Sequence, residues 1–294
     1  MTEPASGTQS GLRRVRILPD QGQLLVSTDL HGNRGDFERL LAIFEDLRDT
    51  SEDPSRVHWA MLGDLVHGPS IAANLRDPDR FGYSDESPWL VEQVIGLRER
   101  HPENFHFVLG NHDHGHIGGP HPSKFYRDEV TALERRMSPE AVENMRALFH
   151  SAMLALAAPC GLLFCHGSPD EQLRSLEQLA AVDPSDDRDI HQRALLRSVL
   201  TSYGQTGETS AKMLEQVSTP ELPLSVVVHG HDVDLDGWYT EGNNQACPVL
   251  FGALPMMRRY LLIDLGARYR SAEDLQVGRE VHYLHPGPPA RSRS

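Results

Sequence analysis

Five short apolar runs end abruptly in side chains that bind metal ions, and this constrains the chain more than any other feature of its sequence. The five sites read QLLVST-DLHGN, VHWAMLG-DLVHG, FHFVLG-NHD, LLFC-HGSP and LSVVVHG-HD. Such runs, rich in Val, Leu and Phe with few polar positions, read as strands buried on both faces. The full set is Gln23–Thr28, Val57–Leu62, Phe105–Leu109, Leu162–Cys165, Leu224–Val228, Val249–Gly252 and Tyr260–Asp264. Segments of helical period lie between them. In the clearest, Phe37–Asp46, the residues Phe37, Leu40, Leu41 and Phe44 share one stripe. Further helices are expected near Ser87–Arg100, Tyr126–Ala157, Pro169–Ala180, Arg188–Leu200 and Thr209–Gln216. The pattern predicts a layered α/β fold. Ligands in such folds bind beyond the carboxyl ends of the strands, so the five loops should converge on one crevice.

Charge and composition narrow the partners. Twenty-eight basic against 42 acidic residues leave a formal charge of -14, which offers no basic field for a nucleic-acid backbone or an anionic membrane. The most apolar stretch, Met153–Phe164, is broken by Pro159 and Gly161 and falls short of the ~18 to 20 residues of a membrane span. Cys160, Cys165 and Cys247 are odd in number and form no Cys-x-x-Cys pair, which suits buried thiols in a reducing compartment. The N-terminus MTEPASGTQSG has no apolar segment for a secretory signal, so a cytoplasmic protein is expected. Small, polar and Pro-rich ends suggest tails over residues 1–18 and 286–294, flanking one domain over residues 19–285. The Asp-rich stretch Asp183–Asp189 reads as a solvated turn before a helix. The sequence sets no oligomeric state.

Each metal-ligand candidate has an ordinary alternative. Asp29 and His31, two apart in an extended segment, would face one way and share an ion, but alone they read as a turn. Asp64 after Gly63 can bridge two ions or simply cap a helix. Asn111 offers an amide oxygen beside the imidazole of His112, with Gly110 allowing close approach of the backbone. His166 and His231 each follow a strand, where a single histidine is more often a satisfied core residue. Only their company in one zone makes a dinuclear metal centre of Asp29, His31, Asp64, Asn111, His166 and His231. Its donors are nitrogen and oxygen without thiolate, which suits manganese, iron or zinc and not a structural zinc site.

The blocks STDLHGNRGDFERLLAIFE, MLGDLVHG, LGNHD and FCHGSP resemble the motifs of the calcineurin-like metallophosphoesterases, within them the serine/threonine protein phosphatase branch. The segment AKMLEQVSTPELPLSVVVHGHDVDLDGW, followed by PVLFGA and YLLIDL, is similar to the C-terminal half of those enzymes. The resemblance implies a layered β-sandwich flanked by helices, with Asp29, His31 and Asp64 on one ion and Asp64, Asn111, His166 and His231 on the other. It also implies attack on a phosphoester by water activated between two ions, manganese foremost, with His112 as the general acid.

The departures from that family are specific. Where the second motif continues with an Asp that orients the acid and an Arg that grips phosphate, this chain has His67 and Gly68. His67 is therefore expected to act through His112, through a metal-held water, or merely at the rim. If it stands in the acidic partner's place, His67→Asp should raise the pKa of His112. Arg34, Lys124, Arg258 and Arg259 are the candidates to replace the Arg. Arg34, Asn111 and His229, the last in a place where those enzymes carry Arg, are expected to touch substrate. His114, His116 and His121 read as exposed loop residues. The expected activity is hydrolysis of a phosphorylated protein or small phosphoester. The alternatives are a symmetrical dinucleoside tetraphosphatase and a catalytically impaired metal-binding scaffold.

Overall fold

The computed structural model describes residues 14–186 and 188–285, so most of the two expected tails lies outside the described residues. Among the described residues there are eleven strands: β1 Val15–Ile17, β2 Gln23–Ser27, β3 Val57–Leu62, β4 Phe105–Val108, β5 Ala155–Ala158, β6 Leu162–Phe164, β7 Val226–Val228, β8 Trp238–Glu241, β9 Gln245–Pro248, β10 Arg259–Asp264 and β11 Val281–Tyr283. They form two mixed sheets, ordered β1-β5-β6-β7-β9-β8 and β11-β10-β2-β3-β4. The helices are α1 Arg34–Thr50, α2 Ile71–Arg76, α3 Pro78–Phe81, α4 Ser87–Arg100, α5 Asn111–His114, α6 Glu129–Glu134, α7 Pro139–His150, α8 Leu176–Ala180, α9 Ile190–Thr201 and α10 Gly207–Val217.

Two buried faces explain the unbroken apolar runs. Leu24, Val26, Ala60 and Leu62 of one sheet meet Leu156, Phe164, Val226 and Val228 of the other between the layers. The alternate residues Leu25, Trp59 and Met61 face outward into the helical layer, where α1 contributes Phe37, Leu40 and Phe44. A strand with a core on each side cannot alternate apolar with polar. The crossovers through α1 and α4 leave β2, β3 and β4 parallel, so their C-terminal ends lie together. β6 and β7 are likewise parallel.

Several expectations are corrected. Val15–Ile17, expected within the N-terminal tail, pairs with β5 as an edge strand. The single helix expected over Tyr126–Ala157 is α6, α7 and then β5. Ser138 caps α7 through the Ala141 amide and Pro139 takes its first turn, so a new helix starts where a continuous one was expected. Beyond it the small apolar residues Ala155–Ala158 have no polar face for a surface helix and fill the sheet. Of Pro169–Ala180 only Leu176–Ala180 is helical, after its cap at Ser175. The strand expected at Val249–Gly252 lies earlier, at Gln245–Pro248, and Phe251 instead turns beside His31 with ring centroids 4.0 Å apart. No helix among the described residues is long and apolar enough to cross a membrane.

Candidate metal centre

Three of the five converging loops adopt a backbone conformation that side chains resist. Asp29, His31, Asp64, His67 and His231 have φ of 27°, 44°, 51°, 68° and 66°, and among the described residues no other non-glycine residue has positive φ. Left-handed backbone costs an L-residue roughly 1–2 kcal/mol, and such strain collects where geometry serves function. Asp29 and His31 are therefore not two residues of an extended segment, as expected. They lie in a tight turn that redirects both side chains. Between the second and third motifs the chains touch: a Cβ on Gly63, itself at φ +78°, would come 2.5 Å from the Gly110 backbone, and one on Gly110 would strike the Asp64 amide. Hydrogen bonds stitch neighbouring loops, from the His31 amide to the Asp64 carbonyl at 2.9 Å and from the Gly230 amide to the His166 carbonyl at 2.8 Å.

Backbone carbonyls fix the histidine tautomers. The Nδ1–H of His31 donates to the Val66 carbonyl at 3.1 Å, and that of His166 donates to the Leu62 carbonyl at 2.7 Å. A carbonyl can only accept, so Nδ1 carries a proton in each and Nε2 is the nitrogen left for an ion once the ring is neutral, as a metal-ligating histidine requires. Those Nε2 nitrogens face one carboxylate from either side. His31 Nε2 lies 3.5 Å from Asp64 Oδ2 and His166 Nε2 lies 3.4 Å from Asp64 Oδ1. Asn111 Oδ1 is 3.0 Å from His166 Nε2. The His231 amide holds both Asp29 oxygens at 3.1 Å. Among the described residues Asp64 belongs to two tight donor clusters, His31–Asp64–His112 and Asp64–His166–His231. Nitrogen and oxygen donors without sulfur, a shared carboxylate and tautomers set from behind fit a pair of divalent ions.

In the metal-free centre the charges are settled among these groups. Burial opposes a charge on Asp64, but His166 and His112 outweigh it and hold the carboxyl well below its usual range. Burial likewise opposes a charge on His166, yet Asp64 and Asp29 push its pKa up to about 10. Burial keeps His31 neutral and takes His231 down to about 3. At neutral pH protons therefore stand where the ions must bind, one on His166 and part of one on Asp29, whose pKa burial raises to about 7. Loading the metal-free protein near pH 7 should release between one and two protons, and above that pH affinity should rise by about tenfold per pH unit toward the pKa of His166. Calorimetric titration with manganese in buffers of different ionisation enthalpy counts those protons. A count near zero would show His166 already neutral.

His112, the expected general acid, has a buried partner that no motif announced. His112 Nδ1 lies 3.1 Å from Oε2 of Glu129, a buried carboxylate at the start of α6. Burial disfavours the imidazolium, but Asp64 and Glu129 outweigh it and raise the pKa of His112. His67 is buried beside the pair, its Nδ1 3.1 Å from His112 Nδ1. The acidic partner missing from the second motif is thus supplied from α6, and the reasoning behind His67→Asp fails. That substitution would bring a second carboxylate toward Glu129, since His67 Nδ1 is already 3.6 Å from Glu129 Oε2. His114 and His116, expected on an exposed loop, are also buried, and His121 remains exposed.

A family model described as calcineurin-like phosphoesterase matches residues 22–235. The chain belongs to this family. Its phosphoester hydrolysis depends on divalent metal ions, and the two donor clusters are where this phosphoesterase can hold them. A protein serine/threonine phosphatase of Saccharomyces cerevisiae shares the fold at TM-score 0.57 and 17% identity, over 86% of this chain and 77% of that one. A cold-active protein-tyrosine phosphatase of a psychrophilic Shewanella species does so at 0.53 and 14%, over 86% and 78%.

Around the phosphoesterase centre the expected cations sort themselves by their partners. Arg34 lies on the exposed side of α1, where its Nε donates to Glu38 at 2.7 Å and its guanidinium sits 4.4 Å from the Trp89 ring centroid, so the expected substrate contact is not made there. Arg258 is buried against Asp36 at 2.9 Å, and Arg259 donates to the Tyr283 hydroxyl. Lys124 differs. Its Nζ rests 4.2 Å from the Phe251 ring centroid, and Phe251 in turn packs on His31. From there its charge reaches Asp64, Asp29 and Glu129. His229, also expected to touch substrate, is 0% exposed and has Nδ1 2.9 Å from the Gly230 carbonyl, so enclosure removes that role.

Proposed function

We propose that this phosphoesterase is a phosphomonoesterase of the serine/threonine protein phosphatase type, working with two divalent ions, manganese by preference. The observation that carries the reading is the Asp64 carboxylate, presented to His31 on one side and His166 on the other and belonging to both donor clusters. In this reading Asp29, His31 and Asp64 hold one ion, and Asp64, Asn111, His166 and His231 hold the other. When bound, the ions would supply Lewis acidity, lowering the pKa of water and neutralising charge on the phosphate oxygens. His112 keeps a proton at Nε2 for the leaving oxygen while its Nδ1–H faces Glu129, and that carboxylate steadies the imidazolium until the proton is handed over. Asp64 holds the backbone of His112 in place through the His112 amide at 2.8 Å. The close contact of His112 with the buried Glu129 carboxylate supports this reading over the catalytically impaired scaffold.

Lys124 is the replacement proposed for the phosphate-gripping Arg, seated on Phe251 within a cluster that includes Phe81 and Phe125, with ring centroids 5.4 to 5.9 Å apart. One cation suits one phosphoryl group better than a tetraphosphate, which supports the monoesterase over the dinucleoside tetraphosphatase. Lys124→Ala should lower kcat/KM mainly through KM. Hydrogen bonds to charged groups are worth ~1.5 to 3 kcal/mol, which is ~10- to 100-fold. A fall confined to kcat would remove Lys124 from substrate binding. For the activity itself, the manganese-loaded protein is assayed on phosphoserine, phosphothreonine and phosphotyrosine peptides, para-nitrophenyl phosphate and dinucleoside tetraphosphate. Higher kcat/KM on the dinucleotide than on every monoester would overturn the reading.

A further inference from the structure

A chain of hydrogen bonds behind His112 fixes which atoms carry protons. Arg146 holds Glu134 at 2.8 Å, and His116 Nδ1 lies 3.0 Å from Glu134 Oε1. The carboxylate accepts, so His116 Nδ1 carries the proton and His116 Nε2 is a lone pair. His67 Nε2, 2.9 Å from that lone pair, must then be the N–H that donates to it. The remaining nitrogen of His67, Nδ1, is bare and faces His112 Nδ1 at 3.1 Å. Glu129 Oε2 faces the same point, 3.1 Å from His112 Nδ1 and 3.6 Å from His67 Nδ1. The Glu129 side chain is 0% exposed, and this oxygen accepts no well-aligned hydrogen bond. Three buried donors thus converge around a single proton.

We propose that His67, His112 and Glu129 form a third divalent-cation site, suited to zinc, whose occupation switches hydrolysis off. The triangle has the size a tetrahedral ion requires. Zinc bonds of ~2.0 to 2.1 Å place neighbouring ligands about 3.3 Å apart, against edges of 3.1, 3.1 and 3.6 Å here, with the fourth position left to water. The His67–His116–Glu134 chain supplies the outer hydrogen bonds that orient a ligating histidine. Two ions in the main centre repel a third, so this site fills last and empties first. Its effect follows from proton count. A cation on Nδ1 takes the place of the proton there, and the Nε2–H left on His112 is that of a neutral azole, too weak an acid to protonate a leaving alkoxide near neutral pH. This consequence rests on the acid role proposed for His112; the binding does not.

The test loads the full-length protein with two equivalents of manganese, titrates zinc, and measures total bound metal by elemental analysis alongside rates on an alkyl phosphomonoester and para-nitrophenyl phosphate. The expected result is a third equivalent, an alkyl-ester rate falling toward the ~10²- to 10⁴-fold loss of a missing general acid, and a much smaller loss on the aryl ester. Glu129→Gln and His67→Gln should each stop at two equivalents, and zinc should no longer slow what activity they retain. A total of two in the unmodified protein, or a third equivalent kept by both variants, overturns the site. A third equivalent that is lost in both variants but slows alkyl and aryl esters alike leaves the site standing and overturns the acid reading of His112.

Discussion

Asp64→Ala leaves a folded protein that binds neither ion tightly and hydrolyses phosphomonoesters at least ~10³-fold more slowly. The two oxygens of Asp64 face histidines of different clusters, so no other residue can compensate at both. Loss of the ions forfeits several kcal/mol of charge stabilisation, and ~4 kcal/mol corresponds to ~10³ in rate. The same substitution removes the acceptor for the His112 amide, so the acid loses its support as well. Elemental analysis after gel filtration, paired with kcat/KM on one monoester, checks the expectation. Two retained equivalents with near-normal turnover would show that Asp64 is not shared.

Replacing His112 produces the second large effect, of a different kind. The variant keeps both ions, because none of the ligands proposed for them (Asp29, His31, Asp64, Asn111, His166 and His231) is replaced, but loses ~10²- to 10⁴-fold in rate on alkyl esters. On para-nitrophenyl phosphate the loss is much smaller, since that leaving group departs without a proton. The choice of substituent matters. Alanine strands the buried Glu129 carboxylate, and removing one partner of a buried charge pair commonly costs ~3 to 5 kcal/mol of stability. Asparagine retains an N–H toward Glu129 and isolates the loss of the acid. Parallel Brønsted plots of log kcat against leaving-group pKa make the comparison. Equal slopes for the two proteins would remove His112 from proton transfer.

The contrast between His166 and Glu129 shows what the sequence could and could not disclose. His166, Asp64 and His231 were legible because each follows an apolar run directly, and a strand end in a parallel layer has only one place to go. The layered fold was legible for the same reason, whereas the edge strands Val15–Ile17, Trp238–Glu241 and Val281–Tyr283 were not, being short and partly exposed. Glu129 reaches His112 through α6, and no spacing ties that helix to the third motif. A faint signal did exist. Glu129 shares the buried side of α6 with Val130 and Leu133, and an acidic residue on an apolar stripe is rarely there for packing. His229 and Arg34 failed in the opposite way. Their residue types suited phosphate, but only the direction of a side chain decides contact, and one is walled in while the other leans on Trp89.

The left-handed residues of the centre separate two properties that usually travel together. Asp29, His31, Asp64, His67 and His231 are in or beside the best enclosed part of the molecule, yet each holds a torsion its side chain disfavours. Before metal arrives little opposes the relaxation of that tension except the stitching between loops. Ordering of this region is then a late event in maturation, completed by the ions and not by the hydrophobic layers beneath. In hydrogen–deuterium exchange the metal-free chain would open first at its most sheltered loops, while the strands only a few residues away stayed closed. Depth beneath the surface is here a poor guide to rigidity.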